Sequence, residues 1–378
     1  MTSPALGCCY SWPATSAGGW ALFGHMLYRD GVERLRRKPG RHRVGSESSV
    51  VAVAGGTGFV GGAIARELRT RGHRVVVLTH RPVAAGRARA AGRDRAASAS
   101  DAARTSDAAR TSDAANASAP FEYRQGDVTR PESLATALAG VEALVISLAF
   151  RNSPIEAPRR GQTFERVDAA GTEALVAAAR AAGVGRLVYM SGAGAAPDAP
   201  RHWFRAKWRA EEAVRGSGIV YTIFRPSWIY GPGDRSLNRF LGFSQWLPFI
   251  PQIGNGRQRL APVYVGDIGA LVADALATPA AENVALEVGG PETLTMDEIV
   301  RTALRILGRR RPILHAPVML MKTLTAPLTL LPSPPMTPAA IDFVVQSAQV
   351  DSGPLHERLP RRLLPLSEAL PTYLAAKN

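Results

Sequence analysis

The chain has 378 residues, 46% of them hydrophobic, and a formal charge of +15. That length can hold one large domain or two smaller ones around a sizeable core. No run of about twenty uninterrupted apolar residues is available to cross a bilayer; the nearest, Pro312 to Pro332, is broken by Pro317, Lys322 and Pro327. The only cysteines, Cys8 and Cys9, are adjacent, which excludes a disulfide framework and a cysteine zinc site and fits a reducing compartment. Much of the basic excess sits at the ends, with seven Lys/Arg against three Asp/Glu in Met1 to Ser48 and ten against four in Val300 to Asn378. Basic ends of this kind favour nonspecific attraction to anionic surfaces over groove recognition, and no aromatic-basic interleaving offers a stacking platform, so nucleic acid is set aside as a partner.

In chain order, residues 1–48 lack apolar periodicity and read as a disordered tail or an upstream start, with Met26 as a later candidate. Their acid-poor, Ser/Arg-containing character leaves a transit peptide as the alternative. "VVAVAG" (Val50 to Gly55) predicts a continuously apolar strand, "GGAIARELRTRG" (Gly61 to Gly72) a helix stopped by glycine, and "HRVVVLTH" (His73 to His80) a second strand. Residues 84–120 are of low complexity: "SDAART" begins at Ser100 and Ser106 and returns imperfectly at Ser112. Without core-forming side chains such a block cannot offset its ordering entropy, so it reads as a flexible insertion into one fold.

"FEYRQGDV" (Phe121 to Val128) predicts the next strand, and Thr129 with Glu132 a capping box for a helix through Leu138. Further strands are expected at Glu142 to Phe150, Gly185 to Gly192 and Ile219 to Pro226, separated by Ala-rich helices. Strands apolar on both faces that alternate with helices indicate a parallel sheet covered on both sides.

The chemical signal lies between the first strand and first helix, in "AGGTGFVGG" (Ala54 to Gly62). Gly56, Gly58 and Gly61 satisfy G-x-G-x-x-G, and Gly55, Gly58 and Gly61 the related G-x-x-G-x-x-G. Such a loop needs a tight turn, close backbone approach to a pyrophosphate, and tight helix-to-strand packing, with helix N–H groups facing the anion. Gly55, Gly56, Thr57, Gly58, Phe59, Val60 and Gly61 are therefore candidate cofactor contacts. At the end of the second strand, where an NAD site usually carries Asp or Glu, this chain has His80 and Arg81. No carboxylate there repels a 2′-phosphate and Arg81 can pair with one, so NADP(H) is favoured, with NAD(H) as the alternative. Asp127 and Val128, ending the third strand, are candidate adenine contacts.

"GGTGFVG", "GDVTRPESL", "AAGVGRLVYMSG" and "FRPSWIYGPGD" occur in an order that resembles the extended, atypical short-chain dehydrogenase/reductase superfamily. Within it, "APVYVGDIGALVADAL", "EVGGPETLTMDEIVRTALRILGRR" and "EALPTYL" resemble most the nucleotide-binding accessory subunit of respiratory complex I and its bacterial relatives. The resemblance spans roughly Ser49 to Leu374 without the insertion. It implies an α/β Rossmann-type doubly wound parallel sheet with a smaller C-terminal substrate-side lobe. Residues 49–83 and 121–230 would then form the dinucleotide-binding domain and 231–378 a lobe contributing to the same fold. It also implies roles: Gly55, Gly58 and Gly61 the glycine motif, Arg81 the 2′-phosphate contact, Asp127 the adenine contact, Ser191 the serine that steadies a substrate oxygen, and Lys207 the lysine that binds nicotinamide ribose and lowers the pKa of the catalytic tyrosine.

Trp203 stands where that tyrosine belongs. An indole N–H donates once and does not cycle as acid and base. The adjacent His202 is turned about 100° away around a helix. Tyr189, Tyr230 and Tyr264 are the remaining phenols to consider, none at the lysine spacing. The surface alternative for Lys207 is an i,i+4 pair with Glu211. For Ser191 it is a local backbone bond.

After the sheet, "NRFLGFSQWLPFIPQIGNG" (Asn238 to Gly256) suits an apolar pocket, a partner surface or core. Thr295 and Glu298 predict a capping box for a helix ended by Gly308, before Arg309 to Arg311 and the proline-broken apolar stretch. That stretch reads as a lobe cap or as a contact with a membrane surface or membrane complex. The expectation is thus a cytoplasmic, membrane-peripheral or organellar NADPH-binding protein with a scaffold, assembly or sensing role. The alternative is an NADPH-dependent oxidoreductase acting on a hydrophobic carbonyl or quinone-like compound.

Overall fold

The first strand, β1 (Val50–Ala54), divides two apolar layers between its faces: Val51 and Val53 enter one, Ala52 and Ala54 the other. This is the period-two geometry of a strand covered on both sides. The computed structural model describes residues 48–80, 121–150, 152–332 and 334–374, all within one unit, Val44–Asn378. The expected N-terminal tail up to residue 47 and the insertion at 84–120 lie outside the described residues.

The dinucleotide half runs β1, α1 (Phe59–Thr70), β2 (Arg74–Thr79), β3 (Glu122–Gln125), α2 (Leu134–Ala137), β4 (Ala143–Ile146), a π-helical turn Phe164–Ala169 leading into α3 (Ala170–Ala181), β5 (Arg186–Met190), α4 (His202–Arg215) and β6 (Val220–Pro226). Then follow β7 (Ile229–Tyr230), α5 (Leu237–Trp246), β8 (Ile250–Ile253), β9 (Arg259–Leu260), β10 (Val263–Tyr264), α6 (Val265–Ala277), β11 (Val284–Val288), β12 (Leu294–Thr295), α7 (Met296–Ile306), β13 (Ile313–Ala316), α8 (Val318–Thr325) and α9 (Pro338–Val345). Short helical turns complete the chain to Leu374.

Seven strands form one sheet in the order β11-β6-β5-β4-β1-β2-β3, and every neighbouring pair is parallel. The fold is a Rossmann-type α/β sheet with helices on both faces. α1 and α6 cover one face through Ile64, Leu68, Ile268, Leu271 and Val272. α2, α3 and α4 cover the other through Leu134, Leu175, Val176, Ala210 and Val214. The chain order leaves β1 outward through β2 to β3 and resumes on the other side with β4, so the sheet has its switch point between β1 and β4.

Two local expectations meet different outcomes. Thr129 does not cap a helix: its N–H and hydroxyl both donate to Asp127 Oδ1, at 2.9 and 2.7 Å, and the helix is reached through a 3-10 turn, Pro131–Ser133. The Asx turn wins because Asp127 Oδ1 takes the Thr129 N–H that the Glu132 carboxylate would accept in a box. At α7 the capping box forms, with Thr295 N donating to Glu298 Oε2 at 2.7 Å and Glu298 N to Thr295 Oγ1. α7 lies in a third apolar cluster with Tyr230, Leu237, Ile250, Leu304 and Tyr373 that makes the core of the C-terminal lobe.

Candidate functional site

The glycine loop leaves the carboxyl end of β1 at the switch point, facing the end of β4. Gly55 has φ +85°, and a Cβ there would lie 2.1 Å from Ser147 O, so the two strand ends approach too closely for any side chain. A Cβ on Gly61 would lie 2.3 Å from Gly55 O, which lets α1 press onto the turn. Gly58 caps α1 with no side chain of its own and, with Thr57, is exposed; Phe59 and Val60 are half-buried. The first turn of α1 carries no acidic residue. Its leading N–H groups have no intrahelical acceptor. A bare, electropositive helix start behind a loop that tolerates no Cβ fits a dinucleotide pyrophosphate.

Around this loop, His80 is exposed at the end of β2, and Arg81 lies outside the described residues. Asp127 is half-buried, its Oδ1 taken up by Thr129. Val128 packs against Gly171 at the start of α3, where a Cβ would meet it at 2.8 Å. Gly55, Gly58, Asp127 and Val128 thus share the carboxyl edge of the sheet.

α4 presents Trp203, Lys207 and Glu211 toward the sheet at intervals of four residues, one stripe of a 3.6-residue helix. Each member of the expected active-site row finds an internal partner. Lys207 Nζ lies 2.6 Å from Asp168 Oδ1 and donates to Met190 O at 3.3 Å. Its surface pairing with Glu211 does not occur. Glu211, fully buried, instead receives Arg225 and Arg215 and accepts the Ser191 hydroxyl at 2.6 Å. A hydroxyl that donates its one proton to a carboxylate has none for a substrate oxygen.

Trp203 is 3% exposed and sits among Phe150, Phe164, Phe204 and Phe343, with the Phe343 ring centroid at 5.5 Å. Its Nε1 is buried and has no hydrogen-bond partner among the described residues. Phe343 comes from α9, whose neighbouring Asp342 pairs with Arg201 at 2.9 Å, at the start of α4. His202 turns away and meets Glu156 at 2.8 Å.

Burial pushes the Asp168 carboxyl up, with Lys207 opposing. Burial alone would push the Lys207 ammonium down, but the Asp168 carboxylate more than offsets it, so Lys207 stays protonated through neutral pH. Tyr189 faces the same layer, fully buried, with Lys207 5.5 Å from its ring centre. Burial raises its phenol above the usual tyrosine value despite that ammonium. Tyr230 is fully buried and likewise raised by burial. Neither phenol is a solvent-side proton donor. Tyr264 is half-buried and packs between Tyr230 and Tyr373.

Asp168 escaped the sequence reading because an acidic residue opening an Ala-rich helix looks solvated. The π-helical turn Phe164–Ala169 widens the backbone before α3 and goes with an aspartate only 3% exposed. Phe343 and Asp342 carried no signal at all, lying 140 residues from Trp203 in the sequence.

Comparison with known proteins supports the cofactor class that the loop geometry implies. A family model described as NAD(P)H-binding matches residues 94–241. The chain resembles NAD(P)H-binding proteins of the short-chain dehydrogenase/reductase type. It is 27% identical over 307 residues to subunit 9 of the NADH dehydrogenase [ubiquinone] 1 alpha subcomplex, mitochondrial, of Arabidopsis thaliana, covering 81% of this chain and 69% of that protein. It is also 27% identical over 268 residues to a ceramide reductase of Caulobacter vibrioides, 71% of this chain and 74% of that one. In fold it matches an NADPH-dependent quinone oxidoreductase of Escherichia coli with a TM-score of 0.60, at 19% identity over 87% of this chain and all of the other. The chain therefore has relatives named both as a respiratory-complex subunit and as a reductase.

Proposed function

We propose that the protein binds NADPH at its glycine loop and serves as a weakly catalytic or non-catalytic scaffold or sensor, the dinucleotide stabilising a fold used for assembly. The observation that carries this reading is the inward turn of the whole expected row: Lys207 to Asp168, Ser191 to Glu211, Trp203 into an aromatic cluster. A bound nicotinamide would supply hydride chemistry. Of the three phenols considered for the accompanying proton, Tyr189 and Tyr230 are buried with raised pKa values and Tyr264 packs between Tyr230 and Tyr373. Gly55 to Gly61 would hold the pyrophosphate, with Asp127, Val128, His80 and Arg81 toward the adenosine end. The membrane-associated complex implied by the subunit relative is the partner class this reading favours.

The second reading is a reductase of an apolar carbonyl or quinone, supported by the named ceramide reductase and by the retained Ser191 and Lys207. One experiment separates the two. The purified protein is titrated with NADPH and NADH by cofactor fluorescence and thermal shift, then supplied with quinones and long-chain carbonyls while cofactor oxidation is followed. The scaffold reading expects tight NADPH binding, weaker NADH, loss of both in Gly58→Asp, and no oxidation. Turnover on any of these acceptors would establish the reductase in its place.

A further inference from the structure

Every strongly exposed large apolar side chain among the described residues lies between Trp246 and Leu331, in the C-terminal lobe. Met319, Leu320 and Leu324 of α8 are 73, 53 and 59% exposed, and Leu330 and Leu331 in the turn after it are 79 and 48%. α8 explains why they cluster. Val318, Met321, Lys322 and Thr325 form its inward stripe, packed toward α9 and tied by the Lys322 pair with Asp342. The outward stripe is Met319, Leu320, Thr323 and Leu324, with no charge on it. A helix on a water-facing surface ordinarily reverses that distribution.

The charge around this face points to its occupant. Between Glu298 and Asp342 the chain contains Arg301, Arg305, Arg309, Arg310, Arg311 and Lys322 and no acidic residue. Arg301, Arg305, Arg310 and Arg311 are exposed. At the far end of the β8–β13 ribbon, one strand length of roughly 13 Å from α8, Trp246 is 86% exposed. Arg309 is fixed beside it by a bond to Ser244 Oγ at 2.8 Å. Exposed leucines and a tryptophan flanked by arginines, with the neighbouring Asp297 and Asp342 each taken up by cationic side chains, complement an acyl-chain boundary beneath anionic headgroups. A protein partner for an apolar face of this kind would not by itself require the accompanying excess of exposed arginines.

We propose that the α8 face docks on the surface of an anionic lipid bilayer, lying in the interface without crossing it. No described helix is long and apolar enough to span a membrane. This binding does not depend on the catalytic or scaffold role of the dinucleotide site.

The test uses the full chain and sucrose-loaded vesicles of phosphatidylcholine with or without one-third phosphatidylglycerol, at low and at physiological salt. Sedimentation with the anionic vesicles alone is expected, with at least a tenfold loss of affinity in Leu320→Glu/Leu324→Glu and a smaller, salt-sensitive loss in Arg310→Gln/Arg311→Gln. NADPH fluorescence should be unchanged in both variants, which separates lost docking from lost folding. Three results would overturn the proposal: equal sedimentation of the Leu320→Glu/Leu324→Glu variant, no sedimentation of the parent protein with anionic vesicles, or a parent dimer that this variant converts to monomer without any vesicle binding.

Discussion

Lys207 Nζ sits 2.6 Å from a carboxylate of Asp168 that is 3% open to solvent, so the lysine of the expected active-site row is held by an aspartate. Removing one member of a buried pair strands the other. Lys207→Met is expected to cost about 3–5 kcal/mol, and the Asp168→Asn/Lys207→Met double variant less than the sum of the two singles. Urea denaturation of the four proteins measures the coupling. Strictly additive losses would mean the pair contributes nothing as a pair.

Ser191 and Glu211 make a contrasting case. Glu211 keeps two guanidinium partners when the serine hydroxyl is removed, so Ser191→Ala should cost only about 1 kcal/mol and leave NADPH affinity unchanged. Glu211→Ala leaves Arg225 without its carboxylate beside a buried site, while Arg215 keeps Glu212, and should cost about 3 kcal/mol. Thermal denaturation of the two variants ranks them. A larger loss of NADPH binding in Ser191→Ala than in Glu211→Ala would put the serine on the ligand instead.

Gly55 should tolerate no replacement. Gly55→Ala meets both a φ of +85° and a Cβ position 2.1 Å from Ser147 O, and more than about 2 kcal/mol of stability should be lost along with cofactor binding. Gly140 has a similar φ, +68°, with nothing near its Cβ, so Gly140→Ala should cost about 1 kcal/mol and leave binding intact. Thermal melts with and without NADPH compare the two.

Acid should weaken the fold in two steps. His73, next to Ser49, is held below the usual histidine value, first by burial and then by Arg71. A histidine lowered on folding contributes stability above its unfolded pKa of about 6.5 that is lost as pH falls below it. Burial alone would raise Asp274, but Arg361 and Arg71 outweigh it and hold its carboxyl low, so its contribution is present above about pH 4 and lost on further acidification. In melting curves from pH 3 to 8, His73→Gln should flatten the limb below pH 6.5 and Asp274→Asn the limb below pH 4.

Most of the parallel sheet was legible because its strands are short apolar runs, as at Val50 to Ala54 and Arg186 to Met190, whose covered faces leave no other reading. The turn after β1 was legible because glycine spacing answers a steric demand that the Gly55 and Gly61 contacts display. What failed to show was contact across the chain. Lys207 was read against Glu211 four residues on, whereas its partner Asp168 arrives from another helix. Thr129 carried the spacing of a capping box, but Asp127 two residues earlier competed for the same donors. In both cases a local rule was sound and a nearer or better-buried acceptor took the bond.

Asp342 is shared. One of its oxygens holds Arg201 at the head of α4 and the other holds Lys322 in α8, while Phe343 beside it covers Trp203. One carboxylate and the ring beside it thus tie α8 and α9 to the helix that carries Trp203, Lys207 and Glu211. A load placed on α8 would reach α4 along these two contacts. Asp342→Asn should therefore weaken the link: any change in NADPH affinity that vesicles cause in the parent protein should shrink, while each binding event persists alone.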